Sequence, residues 1–162
     1  MYKLLLVCLM AICSLHAAAN LSQSHWRWRN NNGNETAATW KAAQDSGIIV
    51  NDKNAFRLRM EVYNSTEDDK PFDHGLQYAT SKNGPWYSIS DASPLNAFVF
   101  AKDNTYITNN QPTTQQLTGT QYTFFPGHVI TNQSAFTDTI RTLTSREYEW
   151  NIKATSLAQP ST

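Results

Sequence analysis

Phe56-Arg57-Leu58-Arg59-Met60-Glu61-Val62-Tyr63-Asn64 is the stretch whose reading decides the fold. Phe56, Leu58, Met60 and Val62 recur with period two, and Arg57, Arg59, Glu61 and Tyr63 fill the positions between them. Successive side chains of an extended chain point to opposite faces, so this alternation predicts a half-buried strand. A slip of one residue would turn two arginines into the core, which pins the register. The expectation is an apolar face inward and an Arg/Glu/Tyr face toward solvent.

The same period recurs on both sides of this segment. Trp26-Arg27-Trp28-Arg29 sets two indoles against two guanidiniums, and Asn30-Asn31-Asn32-Gly33 then reads as a tight turn, with residues 36–42 around Trp40 as the return strand. Residues 64–75 read as a polar loop and 76–80 as a strand with Leu76 and Tyr78 inward. Asn83-Gly84-Pro85 turns the chain before a short strand from Trp86. Residues 97–101, 122–125 and 135–143 are further candidates, separated by a long Asn/Gln/Thr stretch at 103–119. Residues 147–155 close the series, with Tyr148, Trp150, Ile152 and Ala154 inward and Glu149, Asn151 and Lys153 outward. Many short strands, frequent turns and no amphipathic helix predict an all-β, antiparallel sandwich.

Composition agrees and narrows the partners. The chain has 162 residues, enough for one domain with a real core, and 12% of them are aromatic. Its 13 basic and 13 acidic residues cancel to a net charge of +0, which argues against nucleic acid or an anionic membrane surface as partner. Lys3, the apolar run at 4–15 and Ala17-Ala18-Ala19 have the form of a secretory signal over residues 1–19. That run is too short to span a bilayer, which takes about 20 apolar residues. Cys8 and Cys13 both fall inside it, so the mature chain would hold no disulfide. The expected organisation is a signal at 1–19, a sandwich domain at 20–155 and a tail at 156–162, in a secreted or cell-surface protein.

Leu143-Thr144-Ser145-Arg146-Glu147-Tyr148-Glu149-Trp150-Asn151-Ile152-Lys153-Ala154-Thr155 resembles the late-strand pattern of fibronectin type III and related immunoglobulin-like domains. The resemblance implies that Tyr148 is a tyrosine-corner residue whose hydroxyl is tied to backbone upstream, and that Trp150 is a core residue. Trp26-Arg27-Trp28-Arg29-Asn30 with residues 35–40, Phe56-Arg57-Leu58-Arg59, Leu76-Gln77-Tyr78-Ala79-Thr80 and Glu147-Tyr148-Glu149-Trp150 together resemble β-sandwich modules of uncharacterised exported bacterial proteins. Such modules end in a further Tyr-x-Phe-Arg-like strand. This chain ends in Gln159-Pro160-Ser161-Thr162, so either that final strand is lost or the sequence is a fragment. Residues 147–155 would then carry an open edge, which invites strand-mediated self-association.

Catalytic signatures are sparse. His25, His74 and His128 are far apart, there is no H-E-x-x-H, and no G-x-S-x-G or nucleotide-binding glycine loop is present. Nothing calls for a cofactor. Glu147 and Glu149 share a strand face, about 6.5–7 Å apart at Cα, which is not prohibitive for a glycosidase pair. A solvated, salt-paired face with Arg146 and Lys153 is the plainer account. Asp68, Asp69 and Asp73 could offer a weak calcium site, although the order around Lys70 matches no EF-hand loop. Tyr63, Trp86 and Tyr87 are the candidate ligand platforms, Tyr63 because alternation sends it away from the core. These readings together predict a non-catalytic exported β-sandwich module with a structural or adhesion role. Its partners would be other surface proteins or polysaccharide. A carbohydrate-binding module is the alternative, with a sandwich-fold glycoside hydrolase behind it.

Overall fold

The structure is a computed structural model that describes residues 21–50, 53–91, 95–102, 104–133 and 137–158. The signal expected at residues 1–19, the tail beyond residue 158 and its Pro160 lie outside the described residues. The described chain forms β1 (Leu21–Asn30), β2 (Phe56–Asn64), β3 (Lys70–Asp73), β4 (Gln77–Tyr78), β5 (Tyr87–Ser88), β6 (Phe98–Phe100), β7 (Thr123–Ile130), β8 (Thr137–Ile140) and β9 (Thr144–Ala154). No helix occurs among the described residues, hence none long and apolar enough to cross a membrane.

β9 is the centre of the main sheet. It pairs antiparallel with β2 from Tyr63↔Ser145 to Phe56↔Ile152. Its other edge is shared: β7 runs parallel to it from Thr123↔Thr144 to Ile130↔Trp150, and β6 pairs antiparallel from Phe100↔Ile152 to Phe98↔Ala154. The open edge expected on residues 147–155 is therefore closed, and the ground for strand-mediated self-association goes with it. The neighbours come from earlier in the chain, so no following strand is needed. The parallel β7–β9 pair also departs from the all-antiparallel expectation. Its register breaks between Pro126 and Val129, where the Thr113 hydroxyl donates to the Glu147 carbonyl at 2.6 Å and accepts from Gly127 N at 3.0 Å. A Cβ at Gly127 would collide with the Glu147 carbonyl, so this close approach requires glycine.

β1 lies on the far side of β2, in register from Trp26↔Met60 to Asn30↔Phe56. The return strand expected at residues 36–42 is not a strand. It follows β1 through three backbone bonds, Asn30 N to Thr39 O, Lys41 N to Trp28 O and Asp45 N to Trp26 O, all at 2.8–2.9 Å. Asparagine side chains explain the irregularity: Asn34 Oδ1 accepts from Thr36 N and Ala37 N, and Asn32 Oδ1 accepts from Thr39 N. Side-chain acceptors of this kind compete with a ladder.

The apolar face of the main sheet carries Trp28, Phe56, Leu58, Met60, Val62, Tyr148, Trp150 and Ile152, all buried. Two small antiparallel sheets, β3–β8 and β4–β5, supply Phe72, Ile140 and Tyr78 to the same core, and Leu76 joins it from just before β4. The fold is all-β and consistent with a sandwich. One loop expectation fails here: residues 64–75 include β3, because Phe72 turns inward onto the Tyr148 ring, 4.8 Å away between centroids. A lone apolar residue among charges gives no period to read.

Trp150 is fully buried and its indole N–H donates to the His74 carbonyl at 3.0 Å. Tyr148 is also fully buried, but it is no tyrosine corner of the expected kind. Its hydroxyl donates to Asp138 Oδ2 at 3.0 Å on β8, not to upstream backbone, and Arg146 Nη1 donates to the same oxygen at 2.8 Å. An ionised acceptor makes the stronger bond. Burial, with Asp138 beside it, pushes the phenol far above its ordinary range. Urea denaturation should show a loss of about 3–5 kcal/mol for Trp150→Ala. Tyr148→Phe keeps the ring and forfeits one charge-assisted bond, so it should lose about 1.5–3 kcal/mol. Equal and negligible losses would mean that this face is not the core.

Candidate functional site

The second face of the main sheet is where structure and expectation part. Arg29, Arg57, Arg59 and Glu149 have no solvent exposure, and Glu35, Glu61 and Glu147 have 1–3%. Glu147, Glu149 and the arginines do not form a solvated face. Residues 31–45 and 104–120 fold over them, and the guanidiniums donate to backbone oxygens of both covers. Arg57 Nη2 donates to Gly33 O at 2.6 Å, Arg29 Nη2 to Ala38 O at 2.8 Å and Arg59 Nη1 to Thr114 O at 2.8 Å.

Glu149 is the hub of this layer. It accepts from Arg59 Nε at 2.7 Å, Arg29 Nη1 at 3.1 Å and Arg57 Nη1 at 3.2 Å. Cross-strand register creates the cluster, since Arg59 stands opposite Glu149 and Arg57 follows on the same face. Burial alone would raise the Glu149 carboxyl, but Arg59, Arg29 and Arg57 outweigh it and hold it below the usual carboxylate range. Arg59 also meets Glu147 at 3.0 Å and binds Glu35. Burial works against its charge, and the three carboxylates overcome it, so its proton is held more tightly than usual. Arg29 and Arg57 are held below the usual range by burial, which Glu149 offsets only in part.

Glu147 differs. Burial raises its carboxyl, and Arg59 with the backbone N–H groups of Leu117 and Gln116, both at 2.9 Å, only partly compensates. Two neighbouring carboxyls pushed in opposite directions are the usual mark of an acid–base pair. Here both are buried and bound to arginine, Glu147 also to the backbone of residues 116 and 117.

The remaining sequence candidates are scattered. Tyr63 is half-buried and stacks on Tyr122 at 4.8 Å with the planes 16° apart. Tyr87 is 44% exposed and lies 5.5 Å from Tyr78, while Trp86 is half-buried beside it. They form no shared platform with Tyr63 among the described residues. Asp69 Oδ1 accepts from Thr142 N at 3.0 Å, Asp68 faces Lys70 at 3.7 Å, and Asp73 is exposed on β3. No group of three His, Cys, Asp or Glu side chains among the described residues is placed to hold a metal ion. His74 and His128 do come within 6.3 Å between ring centroids, whereas His25 sits apart against Asp45 at 2.7 Å.

Among the described residues, openings lie at both ends of the covered polar layer. A groove of about 510 Å³ is lined by Asn30, Asn31, Asn32, Lys41, Asn54 and Phe56, with the exposed Ile49 at its rim. A smaller cleft of about 120 Å³ lies at the other end, among Ser24, His25, Glu61, Tyr63, Thr120 and Tyr122. Neither was evident from the sequence. The asparagine run reads as a turn in isolation, and Tyr122 lies about sixty residues from its partner Tyr63.

No protein-family model, curated protein or solved structure matches this chain.

Glu149→Gln should cost about 3–5 kcal/mol at neutral pH, because three buried guanidiniums lose their shared charge. The pH dependence follows from the sign of its shift. A carboxyl held low in the folded state adds stability above its unfolded value, about 4.3, and that stability disappears as the pH falls through the folded value. Urea midpoints should therefore differ strongly between wild type and variant at neutral pH and converge on acidification. Glu147 has the opposite sign, so Glu147→Gln should gain relative to wild type as the pH rises.

Proposed function

We propose that this chain is an exported, non-catalytic β-sandwich module of immunoglobulin-like or fibronectin type III-like kind, serving structure or adhesion at the cell surface or outside the cell. The observation that carries this reading is the fate of its paired carboxylates. Glu147 and Glu149, the residues a sandwich glycosidase would need, hold the sheet's polar face together from within. A framework whose charged chemistry is spent internally presents only its rims to a partner. The central β9 and the two small sheets over the apolar face fit a sandwich, and the leader pattern at residues 1–19 supports export.

The alternative, a carbohydrate-binding module, draws on the asparagine-lined groove. Amide donors and acceptors together with the Lys41 ammonium suit the hydroxyls of a polysaccharide, and exposed Ile49 adds an apolar edge. The amides there are already organised: Lys41 Nζ donates to Asn30 Oδ1 at 3.1 Å, and Asn32 Nδ2 to Thr39 Oγ1 at 2.9 Å.

Beads coated with the purified chain should adhere to cell surfaces, and the chain should release no product from chromogenic glycosides, esters or phosphate esters. Turnover of any of these would remove the non-catalytic reading. Retarded migration through a gel containing soluble polysaccharide, lost in Asn32→Ala and Lys41→Ala, would transfer the assignment to the alternative. N-terminal sequencing of exported material should begin at Asn20, and an intact Met1 or a lipidated Cys13 would refute the leader.

A further inference from the structure

Among the buried carboxylates of the polar face, Glu61 is the one without an arginine. Glu35, Glu147 and Glu149 each meet at least one guanidinium within 4.0 Å, whereas Glu61 forms no ion pair among the described residues. It is 2% exposed and stands directly opposite Glu147 across the β2–β9 register. Like charges facing each other on adjacent strands repel. The Ser24 hydroxyl donates to Glu61 Oε2, and that neutral donor is the carboxylate's one recorded hydrogen-bond partner among the described residues. The next arginine on the same face of β2, Arg59, is already committed to the other three carboxylates. A buried carboxylate in this position is costly unless a cation reaches it.

The space for one is present. Glu61 lines the cleft of about 120 Å³, close to the size of an engineered cavity of about 150 Å³ that accepts benzene. That volume suits an ammonium carried on a few carbons and is too small for a sugar ring with its hydroxyls. The stacked Tyr63–Tyr122 pair forms one wall, and aromatic faces attract cations. His25 also lines the cleft, with its Nδ1 held against Asp45 Oδ2 at 2.7 Å. Its Nε2 lies against Gly119, where an added Cβ would come 3.1 Å from it, so the missing side chain makes room for the His25 ring at the edge of the cleft. The carboxylate, the Ser24 and Thr120 hydroxyls and the aromatic wall together suit three N–H donors and a short alkyl stem.

We propose that this cleft receives a primary alkylammonium group, with Glu61 as its counter-ion and Tyr63 and Tyr122 as its wall. The donor set is too poor in carboxylate and imidazole for a metal ion, consistent with the lack of any metal-holding cluster among the described residues. The inference goes beyond the proposed adhesion role and stands whether or not the module adheres to cells.

Titration of the full chain with n-butylammonium, followed by NMR of backbone amides, tests it. Saturable shifts should centre on Gly119, Thr120, Tyr122 and Tyr63, and n-butanol should produce none. Glu61→Gln should weaken binding about tenfold or more, as loss of a charge-assisted contact does. Tyr63→Leu should weaken it about two- to fivefold while leaving the carboxylate in place. A stability readout separates this role from a merely structural one. Without ligand, Glu61→Gln should unfold at an equal or higher urea concentration than wild type, because an unpaired charge is removed. n-Butylammonium should raise the midpoint of wild type more than that of Tyr63→Leu, and that of Glu61→Gln least. Nα-acetyl-lysine methylamide binding tighter than n-butylammonium would identify a lysine side chain of a partner protein as the source, and the reverse order would identify a free amine. Absence of saturation, equal shifts with n-butanol, or undiminished binding by Glu61→Gln would each overturn the proposal.

Discussion

Three guanidiniums converge on the Glu149 carboxylate, and the polar half of the molecule is arranged around that contact. Isolated, any of these charges would be too costly to bury. Together they require β1, β2 and β9 to lie side by side in one register, because Arg29, Arg57, Arg59 and Glu149 come from all three strands. A one-residue slip of β2 against β9 would carry its arginines into the face that holds Met60 and Trp150. The apolar core favours collapse of the chain. The ion network discriminates among the ways it could collapse.

The network also accounts for the amide-rich segments. Residues 31–45, read as a turn and return strand, and the Asn/Gln/Thr stretch within 104–120 supply the polar groups that the buried charges need. Asn31 Oδ1 accepts from Arg57 at 2.6 and 2.8 Å, and Thr114 N and Gln116 N donate to Glu35 and Glu147. Trp40 completes the cover with Arg27 and Arg29 at 4.5 and 4.4 Å from its ring centroid. A cation over an indole face keeps part of its charge compensation while water is excluded. A hydrocarbon lid over these guanidiniums would leave them unsatisfied.

The apolar face was legible because β2 and β9 alternate without interruption, and every inward residue read there is buried. The opposite face was misjudged because alternation within one strand does not distinguish a wet polar face from a covered one. The distinguishing signal lay between strands: Arg27/Arg29, Arg57/Arg59 and Glu147/Glu149 repeat the same two-residue spacing with opposite charge. Three such pairs match better as a cross-strand ladder than as three separate solvated edges. β3 and the parallel course of β7 had no comparable signal, since Phe72 stands alone and parallel pairing depends on distant chain. The tyrosine corner failed for a local reason, a carboxylate on β8 within reach of the Tyr148 hydroxyl.

Along the polar face of β2 the order Arg57, Arg59, Glu61, Tyr63 runs from one opening to the other. The asparagine groove lies by Phe56 and Arg57, and the tyrosine cleft by Glu61 and Tyr63, about 20 Å away at the rise of an extended chain. Between them the layer is neutralised and dry. At the two ends of the ladder the covers stop and polar groups regain access to solvent. Each end inherits side chains already fixed by the network, Asn31 by Arg57 at one and Glu61 by the β2 register at the other. Preorganisation of that kind lowers the ordering cost of binding without requiring any movement of the sheet.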